Sequence, residues 1–144
     1  MIELADAFYR EIVGQASREF PNEACGLIAA KDGVPTKVYA MKNADQSAVT
    51  YRLDAKEQLR VENEMEHQQL DLFAIYHSHT HTEAYPSPTD RARAHWEDPA
   101  SGERVPIFPG TRYLILSLED REEPVLRAFR FEDGEPVEED VKIT

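Results

Sequence analysis

Apolar positions in the first part of the chain recur at helical spacing. Leu4, Phe8, Ile12 and Ala16 form one stripe, which predicts an amphipathic helix closed off by Pro21. The run CGLIAA from Cys25 to Ala30 has no such period and reads as a short buried strand. A KDG turn at 31–33 leads to a second strand near Thr36 to Met41. Asp54 and Glu57 have the spacing of a capping box, so LDAKEQLRVENEMEHQQ predicts a polar helix with Leu59 and Met65 as its core candidates. LDLFAIYH and TRYLILSL are nearly continuous in apolar residues, as strands covered on both faces are. VLRAFRF and PVEEDVKI are weaker strands joined through an Asp133-Gly134 turn. Helices interleaved with buried strands predict a layered α/β domain. With no repeat and no low-complexity linker, residues 1–144 are expected to form one domain. Between Asp90 and the TRYLILSL strand, the chain is first helical and then rich in proline and glycine, which predicts an exposed loop over 97–110.

Composition narrows the partners. With 28 acids against 16 bases the net charge is −12, which argues against nucleic acid or an anionic membrane surface as the main partner. No apolar run approaches the ~20 residues that span a bilayer. The N-terminus lacks the apolar core of a signal peptide. A single cysteine, Cys25, suits a reducing compartment, and the expected location is the cytoplasm.

The candidate chemistry lies in IYHSHTHTEAYPSPTD, residues 75 to 90. His77 and His79 stand two apart at the end of a predicted strand, so both imidazoles face one way and can approach one ion. The bland alternative is one packed and one solvated histidine. Ser87-Pro88-Thr89-Asp90 reads equally well as a helix start, with serine at N-cap and proline at N1. The two readings can coexist, because a helix start aimed at the strand end brings Asp90 towards the histidines. Two imidazoles and one carboxylate leave one position open, the count of catalytic rather than structural zinc. Iron or manganese could take the same ligands. His81 would join them only if the strand ran on, which Pro86 and Pro88 discourage; a place on the substrate side suits it better.

A hydrolytic site also needs a base, and composition alone cannot choose one among 28 acids. The order His77-x-His79, seven residues, Ser87-x-x-Asp90, with Glu23 upstream before Ala24-Cys25-Gly26, resembles the signature of the JAMM (MPN+) zinc metallopeptidases. NADQSAVTYRLDAKEQLR and the histidine stretch are similar to the bacterial branch containing the peptidase for a cysteine-loaded sulfur carrier. The resemblance covers essentially the whole chain, departing at His81 and over 97–110. It implies a cytidine-deaminase-like layered fold, with a mixed β-sheet flanked by helices. It also implies one zinc held by His77, His79 and Asp90. Glu23 would take the proton from the attacking water and hand it to the leaving amine, and Ser87 would donate to the oxyanion. The implied partner is a small ubiquitin-like sulfur carrier with a Gly-Gly tail, whose last amide is hydrolysed to release cysteine. A narrow tail of that kind can lie extended beside a strand.

Competing readings are a general isopeptidase acting on lysine conjugates, a non-catalytic MPN scaffold and a metal-buffering protein. For Glu23 the plain alternative is a solvated surface acid, and for Cys25 a small buried side chain rather than a nucleophile or fourth ligand. Homodimers occur in the resembled family, and Trp96 and Phe108 are candidate contact groups.

Overall fold

The computed structural model describes residues 1–144. Its frame is a six-stranded mixed sheet in the order β3-β2-β4-β7-β8-β9. These are β2 (Cys25–Lys31), β3 (Val34–Met41), β4 (Asp71–His79), β7 (Arg112–Ser117), β8 (Val125–Glu132) and β9 (Glu135–Glu139). Only β4 and β7 run parallel; the other neighbours are antiparallel. The three strands read from continuous apolar runs, β2, β4 and β7, lie together in the middle of the sheet, where both faces are covered.

Helix α1 (Asp6–Glu19) covers one face, packing Ile12 and Ala16 against Ile28, Tyr76, Leu114 and Leu116. Helix α2 (Ala55–His67) covers the other, setting Val61 and Met65 beside Leu27, Ile75 and Tyr113. Neighbouring residues of the central strands thus point into different cores, as Leu27 and Ile28 do in β2 and Ile75 and Tyr76 in β4. No helix is long and apolar enough to cross a membrane.

Several expectations need correction. Leu4 is not in the first helix but in a three-residue strand, β1 (Ile2–Leu4), which pairs in parallel with β10 (Val141–Ile143). It is fully buried all the same, so the apolar stripe marked burial correctly and placed the helix start too early. Leu59 is 61% exposed, and Val61 takes the core position next to Met65. Those two are four apart and share the face that meets the sheet, whereas Leu59 lies off it. The capping box of α2 is only half made: Asp54 accepts from the Glu57 amide, but Glu57 accepts from the Lys42 amide instead of the cap.

The 97–110 region is not a plain loop. After α3 (Pro88–Arg93), strands β5 (His95–Glu97) and β6 (Arg104–Pro106) form an antiparallel ribbon. Trp96 on this ribbon is half exposed, but Phe108 packs inward against the α2-side core.

Candidate active site

The site forms where β2, β4 and α3 meet. Beyond the Cys25–His77 pair, the Ser78 amide donates to the Ala24 carbonyl. The Ser78 hydroxyl accepts from the Ala24 amide at 2.8 Å. Continuing that antiparallel register sets Glu23 across from His79. Gly26, the next residue of β2, has no room for a side chain. A Cβ there would fall on the Tyr39 carbonyl and the Tyr76 hydroxyl.

His77 and His79 lie on one face of β4, both buried. Ser87 caps α3 by accepting from the Asp90 amide, while Asp90 Oδ2 accepts from the Ser87 amide at 2.9 Å. This full capping box turns the Asp90 carboxylate back towards the strand end. Its Oδ2 lies 3.1 Å from His77 Nε2 and 3.0 Å from His79 Nε2, and the two Nε2 atoms are 3.1 Å apart. The cap and the cluster are thus one arrangement.

The tautomers show what this triangle suits. His79 Nδ1 is 2.7 Å from the Glu83 carbonyl, which can only accept, so Nδ1 carries the proton and neutral His79 turns a lone pair inwards at Nε2. That lone pair faces Asp90 Oδ2, another acceptor. Without a cation the contact needs an extra proton. Burial opposes protonation of His79, but the bonds to Asp90 and the Glu83 carbonyl outweigh it and raise its pKa. Burial likewise works to raise the Asp90 pKa, and hydrogen bonds from both histidines override it, holding the carboxyl far below its usual range. The three atoms are close to the ~3.3 Å edge of a tetrahedron with zinc–ligand bonds of 2.0–2.1 Å. Spacing, donor type and tautomer all fit a divalent cation.

Glu23 is buried, and its Oε1 has no hydrogen-bond partner. Burial pushes its pKa up to about 8, with His79 pulling it down and the Asp90 charge pushing it up. A polar loop fixes its backbone. The Glu23 amide donates to the Ser47 carbonyl at 2.8 Å, and Asn43 Nδ2 donates to the Glu23 carbonyl at 3.0 Å. The same loop stacks Tyr51 on His77, with ring centres 4.2 Å apart and planes 17° from parallel. Asp45 in this loop accepts from Arg93 of α3. Sequence reasoning assigned none of Asn43, Asp45, Tyr51 and Arg93. The one local signal was Arg93, a single helical turn beyond Asp90.

His81 stays out of the triangle and meets Phe20 edge-on, 5.5 Å between ring centres. Cys25 is fully buried, its thiol pushed up to about 12 by burial, which makes it a packing residue rather than a nucleophile.

Residues 5–132 match the family described as prokaryotic homologs of the JAB domain. The chain belongs to that family. The resemblance drawn from Glu23 and the His77–Asp90 motif therefore holds, as does the JAB/MPN fold it implied. Among this family's proteins, the chain is 38% identical over 134 residues to the CysO-cysteine peptidase of Mycobacterium tuberculosis, covering 92% of this chain and 84% of that one. It is 32% identical to the desampylase of Haloferax volcanii, over 74% of this chain and 70% of that one. A solution structure of a Desulfitobacterium hafniense protein superimposes with a TM-score of 0.84 at 30% identity, covering all of this JAB-family chain and 93% of the other.

Proposed function

We propose that this JAB-family protein is a zinc-dependent peptidase that hydrolyses the amide bond after the C-terminal Gly-Gly of a ubiquitin-like sulfur carrier, releasing cysteine. The observation that carries the reading is the buried, unpartnered Glu23 carboxylate, held across from a His77, His79 and Asp90 cluster of cation-binding spacing. The likeness to a CysO-cysteine peptidase supports the substrate class.

His77, His79 and Asp90 would hold the ion. When bound, zinc supplies an electrophile that polarises the scissile carbonyl and draws the pKa of water down towards ~7. The Glu23 carboxylate takes a proton from the attacking water, whose oxygen bonds to the glycyl carbonyl carbon. The carbon–nitrogen bond then breaks and Glu23 returns the proton to the departing amine. The products are the carrier carboxylate and free cysteine. The Ser87 oxygen accepts from the Asp90 amide, so its own hydrogen is free to donate to the oxyanion. Tyr51 covers one face of His77 and keeps water from it. Cys25, buried and unpaired, agrees with a cytoplasmic setting. Trp96 is the group we put forward for a homodimer contact.

A second reading, cleavage of lysine isopeptides of ubiquitin-like proteins, draws on the likeness to a desampylase. A metal-free scaffold has no use for the Glu23 and Ser87 arrangement, nor has a metal buffer. The test is hydrolysis of a carrier–Gly-Gly–cysteine conjugate with and without chelator. Activity should vanish on chelation and return with zinc, and Glu23→Gln should keep one zinc per chain while losing at least ~10²-fold in rate. Efficient cutting of ordinary peptides, with every Gly-Gly conjugate left intact, would overturn the assignment.

A further inference from the structure

Three segments leave the sheet at the rim of the site. One is the 20–22 turn before Glu23, one the 80–83 stretch after His79, and one the turn after β7. They are tied to each other: the Leu118 amide donates to the His79 carbonyl, and the Ser117 hydroxyl donates to the Thr82 carbonyl. Phe20 and His81 meet here, Phe20 three residues before Glu23 and His81 two residues after His79. Over the Phe20 ring lies the guanidinium of Arg121, 4.1 Å from the ring centre.

Arg121 is flanked in sequence by Glu119, Asp120, Glu122 and Glu123, in a protein with twelve excess negative charges. Yet it forms an ion pair with none of them; Asp120 instead accepts from the Glu122 amide. The guanidinium is held by an aromatic face, which leaves its fork of N–H donors free for a carboxylate. It is exposed, it rests on the ring that meets His81, and it makes no ion pair with any carboxylate of the chain.

Resting on the peptidase reading above, we infer that Arg121, held on Phe20, binds the α-carboxylate of the amino acid that leaves. Glu23 gives its proton to the departing amine, so the leaving group lies on the Glu23 side, where this rim stands. An amino acid released through its α-amine carries a carboxylate on the adjacent carbon. A lysine released through its side chain has methylenes there instead. A cation at this rim therefore selects α-linked amino acids over lysine isopeptides, and Arg121 is a specificity-determining residue for the same hydrolysis.

The test uses the full-length zinc-loaded enzyme on three peptides. The first ends in Gly-Gly-alanine with a free carboxylate, and the second is its carboxamide. The third carries Gly-Gly on a lysine side chain. Alanine replaces cysteine so that no thiol competes for the metal. Wild type should favour the free carboxylate by about tenfold or more in kcat/KM, through KM rather than kcat. Arg121→Gln should bring that peptide down to the level of the carboxamide. Arg121→Lys should restore part of the preference, and salt should shrink it. Equal cleavage of the first two peptides by wild type, or a preference that survives Arg121→Gln, would overturn the inference and leave the peptidase reading standing. Absence of cleavage of all three by wild type would overturn both.

Discussion

Nη1 of Arg93 lies 2.6 Å from Asp45 Oδ2 and also donates to the Tyr51 carbonyl at 2.8 Å. This pair fastens the helix carrying Asp90 to the loop that fixes Glu23 and stacks on His77. Arg93→Met should therefore loosen both halves of the site at once. The expected cost is about 1 kcal/mol, or a Tm lower by about 3 °C, because the pair is only partly buried. The activity loss should be larger than that stability loss and should fall on kcat. Unchanged kcat in a folded Arg93→Met protein would show that the brace does not hold the site.

Glu23 offers a pH test in the metal-free protein. Its folded pKa is raised to about 8, chiefly by burial, above the ordinary value of 4.5. An acid shifted upwards destabilises the fold as pH rises: the unfolded chain ionises near 4.5, the folded one holds its proton until about 8. Glu23→Gln removes that penalty. Below the ordinary pKa the two metal-free proteins should melt alike. The variant should gain stability progressively up to pH 8 and hold its lead above it. Parallel melting curves across this range would contradict a buried, unpartnered Glu23.

Ser87 has a structural and a chemical part, which two substitutions separate. Ser87→Ala removes both the cap and the hydroxyl donor, costing about 1 kcal/mol of stability together with ~10²–10³ in rate. Ser87→Gly keeps most of the capping, since glycine costs only a few tenths of a kcal/mol at that position. It should lose rate as Ser87→Ala does while melting near wild type. Recovery of turnover in the glycine variant would assign Ser87 to the cap alone.

Gly26 is fixed by close approach. Gly26→Ala must displace the Tyr39 backbone or the Tyr76 ring, whose hydroxyl donates to the buried Gln15. Overpacking of this kind costs about 1–3 kcal/mol, and here it acts three residues from Glu23. A Tm within a degree of wild type would mean that the strand can shift without strain.

The sequence disclosed most where local pattern and tertiary environment agree. β2, β4 and β7 could be read because strands covered on both faces leave an unbroken apolar run. His77, His79 and Asp90 could be read because strand period and helix cap are both local rules. β1 and β10 could not, since each is three residues long and exists only through the other. Leu59 misled because a helix with few apolar residues does not announce its buried face. Glu23 carried no local sign at all and came from resemblance. Asn43, Asp45 and Tyr51 were silent because their roles arise from contacts between segments far apart in the chain, and Arg93 offered only its place one helical turn beyond Asp90.

The full capping box between Ser87 and Asp90 makes one carboxylate answer to two masters. Any change that relocates the start of this short helix, even by a single residue, swings a ligand away from the histidines. Insertions between Pro86 and Asp90 should therefore be poorly tolerated, whereas the ribbon after His95 has no such obligation and can lengthen or shrink freely. Descendants of this protein have latitude to remodel what they grip downstream of that helix, and almost none in how they begin it.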